Sequence, residues 1–287
     1  MKGAKATLAA LALLAAAPAW GTAPAEPLPR MVRIVLVGDS TVAVQGGWGP
    51  SFCGYHVMSS VACVNLAKGG RSSGSYRAER SWDVALAEMG ASGFEKTYVL
   101  IQFGHNDQPG KPGRSTDLAT EFPANLRRYV EEVRAAGAEP VLVTPLTRRQ
   151  FREGKLLDDL GPWAAATREV AREMGVPLVD LHARSQAAVQ QMGPSKANLF
   201  AQKPPPPEVA AAAETGTTIP APKGPDAPAA TPAAAGLQDN AAVEPMGQAK
   251  LAFDYTHLGR TGADFFATIV TDELAAAVPG LRRYLIP

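Results

Sequence analysis

Five short, nearly unbroken apolar runs rich in β-branched residues constrain this chain most: 31–37 (MVRIVLV), 63–67, 97–103 (TYVLIQF), 139–144 and 176–181. A strand with one wet face alternates apolar and polar residues, whereas a strand that is apolar throughout is covered on both faces. Between and after these runs the periodicity is helical, at 76–89, 121–136, 162–174 and 261–278. Gly137 and Gly175 stand where helices should end. Strands alternating with helices imply right-handed crossovers and parallel pairing. The expectation is an α/β protein, a three-layer α/β/α sandwich around a five-stranded parallel sheet. Ligands of such sheets bind beyond the carboxyl ends of the strands, so the polar residues there matter most.

Two segments do not fit that core. Lys2 and Lys5 precede an apolar stretch over 6–17, followed by Ala-Pro-Ala at 17–19 and again at 23–25. A basic head, a short apolar run and a small-residue end describe a secretory signal peptide, here 1–25. Pro18 and Pro24 argue against a continuous buried helix. The expected location is therefore periplasmic or secreted, with no membrane insertion after cleavage. Residues 201–250 hold 15 Ala, 10 Pro and no aromatic residue. Such a composition buries too little to offset its ordering entropy. It reads as a flexible Ala/Pro-rich insertion, with a short helix at 210–213 or a lid as the alternatives. What remains of 26–287 is one domain, expected to be monomeric.

Composition removes several classes of function. With 28 basic and 27 acidic residues the chain lacks the excess positive charge of a nucleic-acid binder. Its two cysteines cannot build a four-Cys zinc site, and no His-Glu-x-x-His helix is present. No metal and no cofactor are expected. In an oxidising compartment Cys53 and Cys63 either form one local disulfide or remain two buried thiols.

The strand ends carry the chemistry. The first run ends in Gly38-Asp39-Ser40-Thr41, and the second leads into Gly69-Gly70-Arg71-Ser72-Ser73. The third ends in Gly104-His105-Asn106-Asp107, and Asp254-Tyr255-Thr256-His257 precedes the last helix. A serine attacks only if a histidine takes its proton, and that histidine needs an acceptor on its other nitrogen. Asp254 and His257, three residues apart, can meet across one turn. A protonated imidazole could not accept the serine proton. The oxyanion of an acyl-transfer intermediate needs fixed donors. The amide N–H groups of Ser40 and Gly70 and the side-chain amide of Asn106 supply them.

Other residues compete for roles. Gly70-Arg71-Ser72-Ser73-Gly74 matches the nucleophile elbow of α/β-hydrolases, but too few strands precede it. Asp39 and Asp107 read as braces of their loops, His56 as structural, and His182 as bonded to Asp180. His105 is expected to line the pocket. Arg71 and Arg148 are candidates to pair with a uronate carboxylate. Trp48, Tyr76 and Tyr255 either stack on sugar rings or pack in the core.

These four blocks, in this order and spacing, resemble the SGNH (GDSL-type) hydrolases. The Gly-Asp-Ser-Thr, Gly-Gly-Arg-Ser-Ser, Gly-His-Asn-Asp, Pro-Leu-Thr-Arg-Arg and Asp-x-Thr-His-Leu segments resemble its rhamnogalacturonan acetylesterase-like branch in particular. The likeness covers about 31–199 and 253–287; the Ala/Pro-rich insertion departs from it. It implies a flavodoxin-like sheet, Ser40 as nucleophile, His257 as base and Asp254 orienting it. Gly70 and Asn106 join the Ser40 amide in the oxyanion hole. The implied function is that of an exported serine esterase removing O-acetyl groups from a plant cell-wall polysaccharide, pectic rhamnogalacturonan first. The alternatives are an acetyl xylan esterase, a lysophospholipase or thioesterase, and a non-catalytic carbohydrate-binding protein.

Overall fold

The computed structural model describes residues 31–219 and 251–287. The expected signal peptide at 1–25 and the larger part of the insertion lie outside them. The main sheet has the order β2-β1-β3-β4-β7, built from Val61–Asn65, Met31–Gly38, Phe94–Gln102, Glu139–Val143 and Leu178–Val179, and every pairing is parallel. A two-residue hairpin, β5 (Phe151–Arg152) and β6 (Lys155–Leu156), stands apart.

Both faces of the sheet are covered, which is why its strands are apolar throughout. Alternate residues of β1 serve different layers: Val32, Ile34 and Leu36 face one core, and Val35 and Val37 the other. β3 repeats this with Tyr98 and Leu100 against Val99 and Ile101. The first layer holds α1 (Gly49–Tyr55), α6 (Leu181–Ala197) and α8 (Arg260–Ala277). The second holds α3 (Ser81–Met89), α4 (Glu121–Ala135) and α5 (Gly161–Met174). Arg33 is the exception within β1. Its buried guanidinium is held by Thr97 Oγ1, by the Met89 carbonyl at 2.7 Å and by Glu88.

Three expectations need correction. The helix expected over 76–89 is broken into α2 (Ser75–Ala78) and α3, because Arg80 adopts φ +66°. The first part of the insertion is structured. Pro207–Glu214 forms α7, whose fully buried Val209 packs with Phe253 and Tyr255. A helix too short to stand alone is thus stabilised by tertiary contact. Finally, α6 stands where no helix was expected; it is kinked at Gly193-Pro194.

Cys53 on α1 and Cys63 on β2 are joined, with Cα atoms 5.4 Å apart. Asp180 and His182 do not bond to each other. Asp180 caps α6 and binds Arg168, while His182 Nε2 lies 3.0 Å from Asp158. His56 Nδ1 lies 3.0 Å from the carbonyl oxygen of Ile286.

Candidate active site

The chain leaves β1 at Gly38 and turns at once. The Asp39 carbonyl accepts from the N–H groups of Val42 and Ala43, and Asp39 Oδ1 accepts from the N–H and Oγ1 of Thr41 at 2.8 and 2.7 Å. The end of β3 locks that turn: Gln102 Nε2 donates to Thr41 Oγ1, and Trp48 Nε1 donates to Gln102 Oε1 at 2.9 Å. Ser40 is left at the top of the turn, its Oγ 2.9 Å from His257 Nε2. His257 Nδ1 lies 2.6 Å from Asp254 Oδ2, whose partner oxygen accepts from the N–H groups of Thr256 and His257. Burial works against the charge on Asp254, but the bond and charge of His257 and the two backbone donors prevail, holding the carboxyl at about 2. Hydroxyl, imidazole and ionised carboxylate stand in one line.

Gly70 and Asn106 line the same cleft as Ser40 and His257. Gly70 has φ +76°, a conformation open chiefly to glycine. Asn106 Nδ2 donates to the Arg71 carbonyl at 3.1 Å; this uses one of its two hydrogens and fixes the amide plane. Asp107 ties the Asn106 loop to the Ser73 loop, accepting from Ser73 N, Ser73 Oγ and Thr116 Oγ1. Its burial pushes the carboxyl up to about 6.

His105 lines the cleft but is nearly sealed, 2% exposed, with Nδ1 3.4 Å from Asp39 Oδ2. Burial pushes the imidazole below its ordinary value, toward the neutral form. Burial also opposes the Asp39 charge, yet His105 and the Thr41 bonds outweigh it and keep that carboxyl low. This pair joins the residue before Ser40 to the residue before Asn106.

Arg148 lines the cleft, with Nε 3.2 Å from Thr256 Oγ1 and an ion pair to Asp159. Arg71 does not line it. Its side chain is fully buried, bonded to Glu79 and to the Gly69 carbonyl, so it serves its own loop rather than a ligand. Ser72 is equally buried and bonded to Ser75. Trp48, Tyr76 and Tyr255 are core residues, at most 7% exposed.

The roles of three residues escaped the sequence reading. Lys111 and Arg114 join Arg148 in lining the cleft, and they follow the third strand end closely enough to have been weighed. Burial, then the charges of Arg148 and Arg114, pull Lys111 down to about 8. Arg149 is the third. Fully buried, it donates to the carbonyls of Thr256, Asp254 and His257 at 3.2, 2.8 and 2.9 Å, and so holds the whole Asp-His loop.

The cleft is about 180 Å³, well below the roughly 300–1,000 Å³ of pockets for drug-sized ligands, and its rim is cationic.

A five-stranded parallel sheet with hydroxyl, imidazole and carboxylate aligned at its carboxyl edge is the architecture of an SGNH-type hydrolase. Residues 36–203, more than half of the chain, match the GDSL-like lipase/acylhydrolase family. Over 171 residues the chain is 34% identical to the "Probable rhamnogalacturonan acetylesterase YesY" of Bacillus subtilis (strain 168), covering 57% of this chain and 76% of that protein. It is 37% identical over 177 residues to rhamnogalacturonan acetylesterase RhgT of the same organism, covering 59% and 73%. The solved structure of Bacillus subtilis YxiM shares the fold, with a TM-score of 0.58 and 22% identity over 86% of this chain. The match spans only 56% of that larger chain. The protein belongs to the GDSL-like lipase/acylhydrolase family, in its rhamnogalacturonan acetylesterase-like branch, and is a carboxylic ester hydrolase.

Proposed function

We propose that the protein is an exported serine esterase that removes O-acetyl groups from pectic rhamnogalacturonan. The observation that carries this reading is the line from Ser40 through His257 to Asp254 at 2.9 and 2.6 Å, opening on a small cleft ringed by Lys111, Arg114 and Arg148. Ser40 Oγ attacks the acetyl carbonyl as its proton passes to His257 Nε2. The tetrahedral oxyanion is met by the amides of Ser40 and Gly70 and by Asn106 Nδ2. His257 returns the proton to the departing sugar oxygen. It then deprotonates the water that releases acetate and frees Ser40.

The cationic rim favours a uronate-containing polymer over neutral xylan, because guanidinium and ammonium groups pair with sugar carboxylates. Export is supported by the leader-like N-terminus and by the Cys53–Cys63 pair, which suits an oxidising compartment. Among the described residues no helix is long and apolar enough to cross a membrane.

The test is acetate release from acetylated pectin and from acetylated xylan, wild type against Ser40→Ala. Faster release from pectin, lost in the variant, is expected. Equal rates on both would broaden the substrate to acetylated polysaccharides in general. Activity confined to long-chain esters would favour a lipase or thioesterase.

A further inference from the structure

A polymer has to leave the reacting cleft, and a second hollow lies against the catalytic histidine. Gly46, with φ +93°, packs so tightly on the catalytic histidine that an added Cβ would sit 3.2 Å from His257 Cβ and Cδ2. Gly46 and Leu258 line a second hollow of about 240 Å³. The two hollows lie on either side of His257: the imidazole lines the first, and Gly46, which packs on it, and Leu258, which follows it, line the second.

The second hollow also carries a cation, Arg260, but adds exposed apolar side chains. Val44 and Tyr55 line it and are 66% and 62% exposed. A single exposed apolar side chain needs no explanation, but two on one hollow beside a reacting centre do. Tyr55 ends α1, and that helix is held on two sides. Ser51, four residues earlier and on the same helical face, donates to Asp264 Oδ1 at 2.7 Å on α8. Cys53 ties the helix to β2 through Cys63. The tyrosine ring is thus exposed on a firm mount, as a stacking surface should be. A pyranose presents an apolar C–H face that an aromatic ring can cover while its hydroxyls stay wet.

We infer that the hollow formed by Val44, Gly46, Tyr55 and Leu258 is a subsite for the sugar next to the acetylated one, with Tyr55 as its stacking platform. The inference rests on the proposed polysaccharide substrate. The aromatic residues singled out in the sequence are buried, whereas Tyr55 is exposed in the hollow that Gly46 and Leu258 line.

The test compares kcat/KM on acetylated pectin and on a small synthetic acetyl ester for wild type, Tyr55→Ala and Tyr55→Phe. Tyr55→Ala is expected to lose about tenfold on the polymer, mostly through KM, and to match wild type on the small ester. Tyr55→Phe keeps the ring and should stay within about twofold of wild type on both. Unchanged polymer kinetics in Tyr55→Ala would overturn the subsite alone, as would an equal loss on both substrates. A dimer of the wild type that Tyr55→Ala dissociates in sedimentation would overturn it in favour of a second copy of this chain. Wild-type protein that cleaves the small ester but releases nothing from acetylated pectin or xylan would overturn the substrate reading, and the subsite with it.

Discussion

Arg149 touches no substrate, yet the account makes it one of the most consequential side chains in the molecule. Its guanidinium is completely buried and bonds three carbonyls of one short loop, those of Asp254, Thr256 and His257. Burial pulls it down to about 10, partly offset by the Asp254 charge, so it remains cationic at neutral pH. Hydrogen bonds from a charged donor contribute about 1.5–3 kcal/mol each, and three would total roughly 5–9. That sum is an upper bound. The loop is partly open, with the His257 and Asp254 side chains 23% and 40% exposed, so water can recover some of the freed carbonyls. A net loss of about 3–4 kcal/mol on Arg149→Ala is the reasoned value. The catalytic effect is separate. A loop displaced by about 1 Å moves His257 out of line with Ser40 and costs on the order of 10²-fold in kcat. Arg149→Lys, with one ammonium in place of a fork, should fall between. Thermal unfolding gives the first quantity, and kcat on a small acetyl ester, measured well below the melting temperature, gives the second. A folded Arg149→Ala with kcat within about threefold of wild type would refute the loop-holding argument.

Other predictions follow from the same geometry. Lys111 is lowered to about 8, so it loses its charge as pH rises through that value. KM for acetylated pectin should climb above pH 8 while KM for a neutral ester stays flat, and Lys111→Met should abolish the difference. Asp254, held at about 2 against an ordinary 3.8, contributes stability that is present above about pH 4 and lost as pH falls toward 2. An acid titration of Asp254→Asn should lack that part of the slope. Asp39→Asn disturbs the link between the Ser40 and Asn106 loops and should lower kcat about tenfold with KM little changed. Steady-state kinetics on a small ester decide it, and an unaltered kcat would count against the link. Val209→Ala removes buried contact with Phe253 and Tyr255 and should cost about 2 kcal/mol in chemical denaturation. No measurable loss would mean that α7 does not support the Asp254 loop.

The architecture and the alignment of Ser40, His257 and Asp254 were legible because they rest on local patterns. The period-2 split of β1 between two cores required an apolar run, and that run is visible as MVRIVLV. Ser40, His257 and Asp254 were legible because they stand at strand and helix ends in recognisable blocks. Direction of burial was not. Arg71 and Arg148 look alike as basic residues after strands, but Arg71 turns inward to Glu79 while Arg148 reaches the cleft. Neighbouring Arg149 is buried and binds a loop more than a hundred residues away, a contact that leaves no local mark. The same holds for α7, an Ala-rich helix of eight residues too short to stand alone, which two aromatic side chains brought in from residues 253 and 255 stabilise. Tyr55 was not singled out, because a short helical stretch before His56 does not mark which of its residues will face outward.

The central claim is that Ser40 is the nucleophile. It is tested most directly by treating the protein with a fluorophosphonate ester and mapping the modified residue by peptide mass spectrometry. The account predicts one adduct per chain, on Ser40, slowed strongly in His257→Ala and absent in Ser40→Ala. An adduct on another serine such as Ser72, or esterase activity that survives in Ser40→Ala, would contradict it.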